Sequence, residues 1–165
     1  MQKKIIFVCA GNMCRSPMAE YLFREMLKKE ITGGACMADM YKIESRGTLP
    51  FTSRRPMYIG AWDVMMDHGI DCDEHRAAMF RAEDYDDSSL ILCMDIDNAE
   101  DIRTIAGGDP ENKIHLLNEY AGVSGSKEIH DPMYTQQRKE DFEKTYQEIY
   151  TACELLKKRL ATGLQ

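Results

Sequence analysis

Long apolar runs are missing from the 165-residue chain. None approaches the ~18 residues that a membrane-spanning helix needs, so a helical membrane protein is excluded. Positive charge is also short: 21 Lys and Arg stand against 28 Asp and Glu, a formal net charge of −7. That balance argues against a nucleic-acid-binding surface. An anionic ligand would have to be held by local donors, not by the field of the whole molecule. Cys9, Cys14, Cys36, Cys72, Cys93 and Cys153 include no Cys-x-x-Cys pair and no close Cys/His cluster, so no structural zinc, and no metal at all, is expected. A chain of this length can build its core without disulfides, and reduced thiols in a cytoplasm are the expectation. The basic start, "MQKKIIFVCAGN", has too short an apolar run and no cleavage site for a secretory leader. There is no GxxxxGK[ST] and no GxGxxG, and no cofactor is expected. Repeats, low-complexity tracts and linkers are absent too, which leaves one domain over 1–165.

What is present is an alternation of strand and helix patterns. "KKIIFVC" (3–9) reads as a buried strand, and Arg15 to about Ile31 as a helix with Ser16 as N-cap and Pro17 as first helical residue. "TGGA" breaks that helix, and "YKIES" (41–45) alternates as a strand. A second helix is expected from Ser53 to about His68, with Pro56 in its first turn and Gly69 as its stop. "SLILCM" (89–94) and "KIHLL" (113–117) are further strands, with a short helix over Asn98–Ala106 between them. Phe142, Tyr146, Ile149, Cys153, Leu156 and Leu160 line one face of a last helix. The order predicts an α/β fold: one three-layer domain, a four-stranded, doubly wound parallel sheet with helices on both faces. Cys93 and Cys153 read as packing residues. Ligands of such folds sit beyond the carboxyl ends of the strands.

The stretch "CAGNMCRSPMAE" lies at that edge, between the first strand and the first helix. Backbone N–H groups of a tight loop entering a helix N-terminus form an anion nest. The same groups stabilise a thiolate. Cys9 could then attack phosphorus. The planar fork of Arg15 could hold two phosphoryl oxygens, a geometry lysine does not match. The Ser16 hydroxyl is placed to stabilise Cys9 when it becomes the leaving group. A Cys-x5-Arg pair alone is a weak signal; the strand before it and the helix after it make it a strong one. Such a cysteine also needs a general acid. Asp131, held extended by Pro132 after the last strand, falls on the same rim.

Together these stretches resemble the low-molecular-weight protein tyrosine phosphatases. "VCAGNMCRSPMAE", "ESRGT" (44–48), "HGID" (68–71), "ILCMD" (91–95), "DPMY" (131–134) and the final helix occur in family order over essentially the whole chain. The resemblance implies hydrolysis of phosphotyrosine in proteins through a cysteinyl-phosphate. Cys9 would be the nucleophile, Arg15 the phosphate clamp and Asp131 the acid, later the base. Ala10, Gly11, Asn12, Met13, Cys14 and Ser16 would form the cradle, with Phe51 and Tyr134 at its mouth. Asn12 would fix the loop through Ser45; His75 would buttress Asn12, with Glu20 behind it. Asp95 is open between a supporting residue and a helix N-cap. Cys9 and Cys14 bracket the loop closely enough to join on oxidation. A phosphotyrosine-containing protein is the implied partner and a tyrosine kinase a candidate one; the oligomeric state is left open.

The rim departs from the family. Phe51 stands where a tryptophan is frequent, Ala77 and Ala78 where Ala-Arg is frequent, and Met133 in place of the first of two tyrosines. Arg54 and Arg55 add basic charge nearby. At the centre of the cradle, tyrosine phosphatases of the family often carry isoleucine and arginine phosphatases threonine; here it is Met13. A protein arginine phosphatase is therefore the nearest alternative. A thioredoxin-coupled arsenate reductase would lack its pair of close redox cysteines. A non-catalytic phosphopeptide-binding module would need neither the thiol nor the acid.

Overall fold

Lys3–Cys9 forms β1, the centre of the molecule, because five successive residues from Ile5 have no polar side chain and are buried on both faces. The computed structural model describes residues 1–163, the side chain of Phe51 excepted. After β1 come α1 (Arg15–Lys28), a hairpin of β2 (Ile31–Thr32) and β3 (Ala35–Cys36), the short α2 (Met37–Met40) and β4 (Tyr41–Gly47). The rest of the chain adds α3 (Ile59–Asp67), α4 (Ala82–Asp87), β5 (Leu90–Cys93), α5 (Ile96–Ala106), β6 (Ile114–Leu116), α6 (Leu117–Ala121) and α7 (Lys139–Ala161). The main sheet has the order β4-β1-β5-β6, every pair parallel. The expected doubly wound α/β fold is what forms.

Strand parity divides the core. Ile5, Phe7, Cys9, Leu92 and Met94 face α1, α3 and α7; Ile6, Val8, Ile91 and Cys93 face α4 and α5. The apolar stripe of α7 from Phe142 to Leu156 is buried as expected, each large side chain contributing ~1.5–3 kcal/mol of burial. β1 has β4 on one side and β5 on the other, so its carboxyl end is the point where the chain's winding reverses.

Three expected boundaries move. The first helix ends at Lys28, not near Ile31, because Gly33 and Gly34, both at positive φ, close the β2–β3 hairpin there. Its N-cap is Cys14, and Ser16 lies inside the first turn with its hydroxyl committed elsewhere. The second helix starts at Ile59, six residues later than expected. The stretch before it is held open by long-range backbone bonds, from Arg54 N–H to Ala77 O at 2.7 Å and from Tyr58 N–H to Met13 O at 2.8 Å.

Candidate active site

The loop after β1 turns through Asn12, which sits in the left-handed region at φ 52°. Asparagine tolerates that conformation better than most residues, and here it is held by four bonds. Its Nδ2 donates to Ser16 Oγ and to Ser45 Oγ, each at 2.9 Å. Its Oδ1 accepts from Ala78 N–H at 2.9 Å. Its carbonyl accepts from His75 Nε2 at 2.7 Å, which puts the proton on that nitrogen. Gly47, at the end of β4, lets the loop come this close: a Cβ there would lie 2.8 Å from Ala10 O.

The network continues inward. Ser45 Oγ donates to Glu20 Oε2, and Arg24 pairs with the other oxygen of Glu20. Glu20 therefore stands behind Ser45, not behind His75 as expected. It lies one helical turn after Ser16 on the face of α1 that meets β4. His75 is not an exposed loop residue but is buried, and burial lowers its pKa, so it is held neutral. Burial likewise raises the Glu20 carboxyl, against the pull of Arg24 and Ser45.

Cys9 Sγ lies 3.0 Å from Ser16 Oγ. That oxygen accepts from Asn12, and its own hydrogen can turn to the sulfur or to Arg46 O, 3.4 Å away. The N–H groups of Gly11 to Arg15 meet no acceptor among the described residues. No acidic side chain occupies the first turn of α1, so its N-terminus is open to an anion.

Arg15 is buried, and two carboxylates hold its fork. Nη1 donates to Asp95 Oδ2 at 2.8 Å and Nη2 to Asp131 Oδ2 at 3.1 Å. Burial alone would lower its pKa, but Cys9, Asp131 and Asp95 outweigh burial and raise it, so the cation is permanent. Asp95 fills both roles left open for it: its other oxygen accepts from Asn98 N–H at 2.8 Å and caps α5. Asp131 accepts from Met133 N–H at 3.0 Å, which fixes the carboxyl at the start of a 3₁₀ turn, Pro132–Tyr134. Cys14 differs from Cys9 in surroundings: burial first, then the charges of Cys9 and Asp131, push its thiol well above its ordinary range.

A slot of about 240 Å³ opens over Cys9. Ala10, Gly11, Met13, Cys14, Arg15, Asp131 and Tyr134 line it. Asn12 and Ser16 do not; they work behind the wall. The expected aromatic wall at Phe51 lies outside the described residues. Met133, named in the sequence as a change on the rim, lines the slot too; so do Leu49, Thr52 and Tyr58, which the sequence reading missed. Tyr58 was hidden by its assignment to a helix interior. Among the described residues no group of His, Cys, Asp and Glu is placed to hold a metal ion, and no helix is long and apolar enough to cross a membrane.

A family model described as low molecular weight phosphotyrosine protein phosphatase matches residues 4–165. The chain belongs to that family. This phosphatase is 34% identical over 152 residues to the low molecular weight protein-tyrosine-phosphatase YfkJ of Bacillus subtilis, a match covering 92% of each chain. The crystal structure of YfkJ superposes with a TM-score of 0.89 and covers 100% of this phosphatase and 98% of that chain. The low molecular weight phosphotyrosine protein phosphatase of Rattus norvegicus is 33% identical over 92% of this chain and 91% of its own. The phosphatase is also similar to a YwlE arginine phosphatase structure that carries a phosphorylated active-site serine, with TM-score 0.81, 25% identity and 95% of each chain covered.

Proposed function

We propose that the protein hydrolyses phosphotyrosine in other proteins through a covalent cysteinyl-phosphate. The observation that carries this is the convergence of Cys9, the open N–H groups of its loop, Arg15 and Asp131 on one apolar slot. The phosphoryl group enters the loop, where the N–H groups and Arg15 bind its oxygens. The Cys9 thiolate attacks phosphorus as the phosphorus–oxygen bond to tyrosine breaks, and the Asp131 carboxyl delivers its proton to the leaving oxygen. In the second step the Asp131 carboxylate takes a proton from water, the water oxygen attacks phosphorus and the sulfur–phosphorus bond breaks. The Ser16 hydroxyl, 3.0 Å from the sulfur, stabilises the departing thiolate.

Substrate class is set by the slot walls. Met13, Leu49, Tyr58 and Met133 present apolar surface to a phenyl ring, and the thioether of Met13 suits an aromatic face or edge. A phosphoarginine guanidinium would lose hydration against the same apolar walls. Phosphoserine is too short to bring its phosphorus to Cys9. The likeness to YwlE supports the arginine phosphatase as the second reading. The test is kcat/KM on matched peptides carrying phosphotyrosine, phosphoarginine or phosphoserine. Phosphotyrosine should be preferred, and Met13→Thr should lower kcat/KM for it. Faster cleavage of phosphoarginine by the wild type would promote the second reading.

A further inference from the structure

Met13 is a wall with two sides. One faces the slot over Cys9; the other faces a second groove of about 500 Å³. Tyr58 also lines both, so the groove adjoins the slot across these two side chains. Its apolar surface comes from the first turn of α3 and the chain leading into it. Ile59 is 67% exposed there, and the Trp62 indole is fixed by its Nε1–H bond to Asp73 Oδ1 at 2.7 Å. Arg55 and Arg76 stand on the rim, both exposed, and neither pairs with a carboxylate among the described residues. Arg76 is nonetheless held in place, its Nη1 donating to the carbonyls of Asp73 and His75 at 2.9 and 2.6 Å. Two arginines thus face one carboxylate, already engaged, in a chain of net charge −7. Beyond Asp131 the opposite flank reverses the sign, with Asp97, Glu128 and Glu148 against Lys144 and His130.

We propose that the groove beyond Met13 is a docking subsite for the phosphoprotein substrate, taking an apolar side chain near the phosphotyrosine with an acidic residue beside it. This rests on the phosphotyrosine reading and extends it to the flanking sequence. An extended peptide advances ~3.3 Å per residue, so crossing a wall one side chain thick takes about two or three residues. The apolar side chain lies on Trp62 and Ile59, and the carboxylate reaches Arg55 and Arg76. On the other flank the same carboxylate would meet like charge.

The test compares phosphotyrosine peptides with Gly/Ser flanks against peptides carrying Leu-Glu two and three residues before, or after, the phosphotyrosine, and against the same peptides with Lys for Glu. One Leu-Glu peptide should gain about tenfold in kcat/KM, mainly through KM. An Arg55→Glu/Arg76→Glu double variant should favour Lys over Glu, and Ile59→Asp should lose the Leu preference. Both variants alter exposed side chains and should keep wild-type turnover of p-nitrophenyl phosphate, which does not reach the groove. Equal kcat/KM for all peptides in the wild type, or a preference that survives both variants, would overturn the proposal. So would concentration-dependent dimerisation lost in Ile59→Asp with peptide selectivity unchanged, which would assign the groove to a second copy. Failure of the phosphotyrosine reading looks different: the wild type would then prefer phosphoarginine peptides whatever their flanks, and the subsite would fall with it.

Discussion

Cys9 and Cys93 end neighbouring parallel strands, and Val8, next to Cys9, is the register partner of Cys93. Both side chains are buried. One step of strand parity separates them: Cys93 points into the apolar cluster with Val8, Ile91 and Ile102, and Cys9 points to the opposite face. Burial pushes the Cys93 thiol far above its ordinary range. The turns that leave the two strands differ more. After β5, Asp95 puts its own carboxylate on the N-terminus of α5, so that helix start is already satisfied. After β1, Cys14 offers α1 no side-chain cap, and the loop N–H groups remain open. The same fold thus builds two strand–helix turns, one closed by its own anion and one left to accept another. The closed turn still serves the open one, since the second oxygen of Asp95 holds Arg15.

The sharpest way to break this comparison is to exchange the two thiols' fates. Cys9→Ser should lower turnover by about 10⁴-fold or more while keeping part of the oxyanion binding, because the N–H groups and Arg15 remain. Cys93→Ala should keep wild-type kcat/KM and lose ~1–2 kcal/mol in urea denaturation, as a small cavity in an apolar cluster would. Reversed results would place the chemistry at β5.

Asp131→Ala should come next. It should cost ~10²–10⁴ in single-turnover transfer from phenyl phosphates with high-pKa phenols, and less for activated ones. An equal loss across the leaving-group series would remove Asp131 as the acid.

Cys14 tests the open turn in another way. Peroxide should convert Cys9 to a sulfenic acid, which the Cys14 thiol captures as a disulfide with release of water. Inactivation should be reversed by dithiothreitol in the wild type and become largely irreversible in Cys14→Ser. Mass spectrometry without a Cys9–Cys14 link after mild oxidation would count against that pairing.

The smallest effect concerns the support behind the turn. Burial holds the folded His75 below its ordinary value of 6.5. Above that pH both folded and unfolded forms are neutral, and His75 contributes no pH dependence. As pH falls through 6.5 the unfolded chain takes up the proton first, so stability is lost until the folded pKa is reached. His75→Gln can still donate to Asn12 O but does not titrate. The wild type should therefore lose more stability than His75→Gln between pH 7.5 and 5.5. Glu20 works with the opposite sign, but it is present in both proteins and cancels in the difference.

Much of this comparison was legible in the sequence. Cys9, Arg15 and a resuming helical pattern announced the open turn, and the late Asp131-Pro132 announced a carboxyl on its rim. Ser16 was misread because Ser-Pro is also how a helix is capped. Only the fold reveals that its oxygen accepts from Asn12 and lies 3.0 Å from the Cys9 sulfur. The run from Ser53 to Tyr58 was misread because apolar spacing cannot register a backbone bond to Met13, forty-five residues earlier in the chain than Tyr58. That error hid both Tyr58 at the slot and the groove beyond Met13.

The most direct measurement is to trap the phosphoenzyme. Asp131→Ala, mixed with a phosphotyrosine peptide or an activated aryl phosphate and quenched within one turnover, should carry a phosphoryl group on the peptide containing Cys9. The peptide containing Cys93 should carry none. A phosphoryl group on any residue other than Cys9, or steady turnover by a clean Cys9→Ser preparation, would contradict the account.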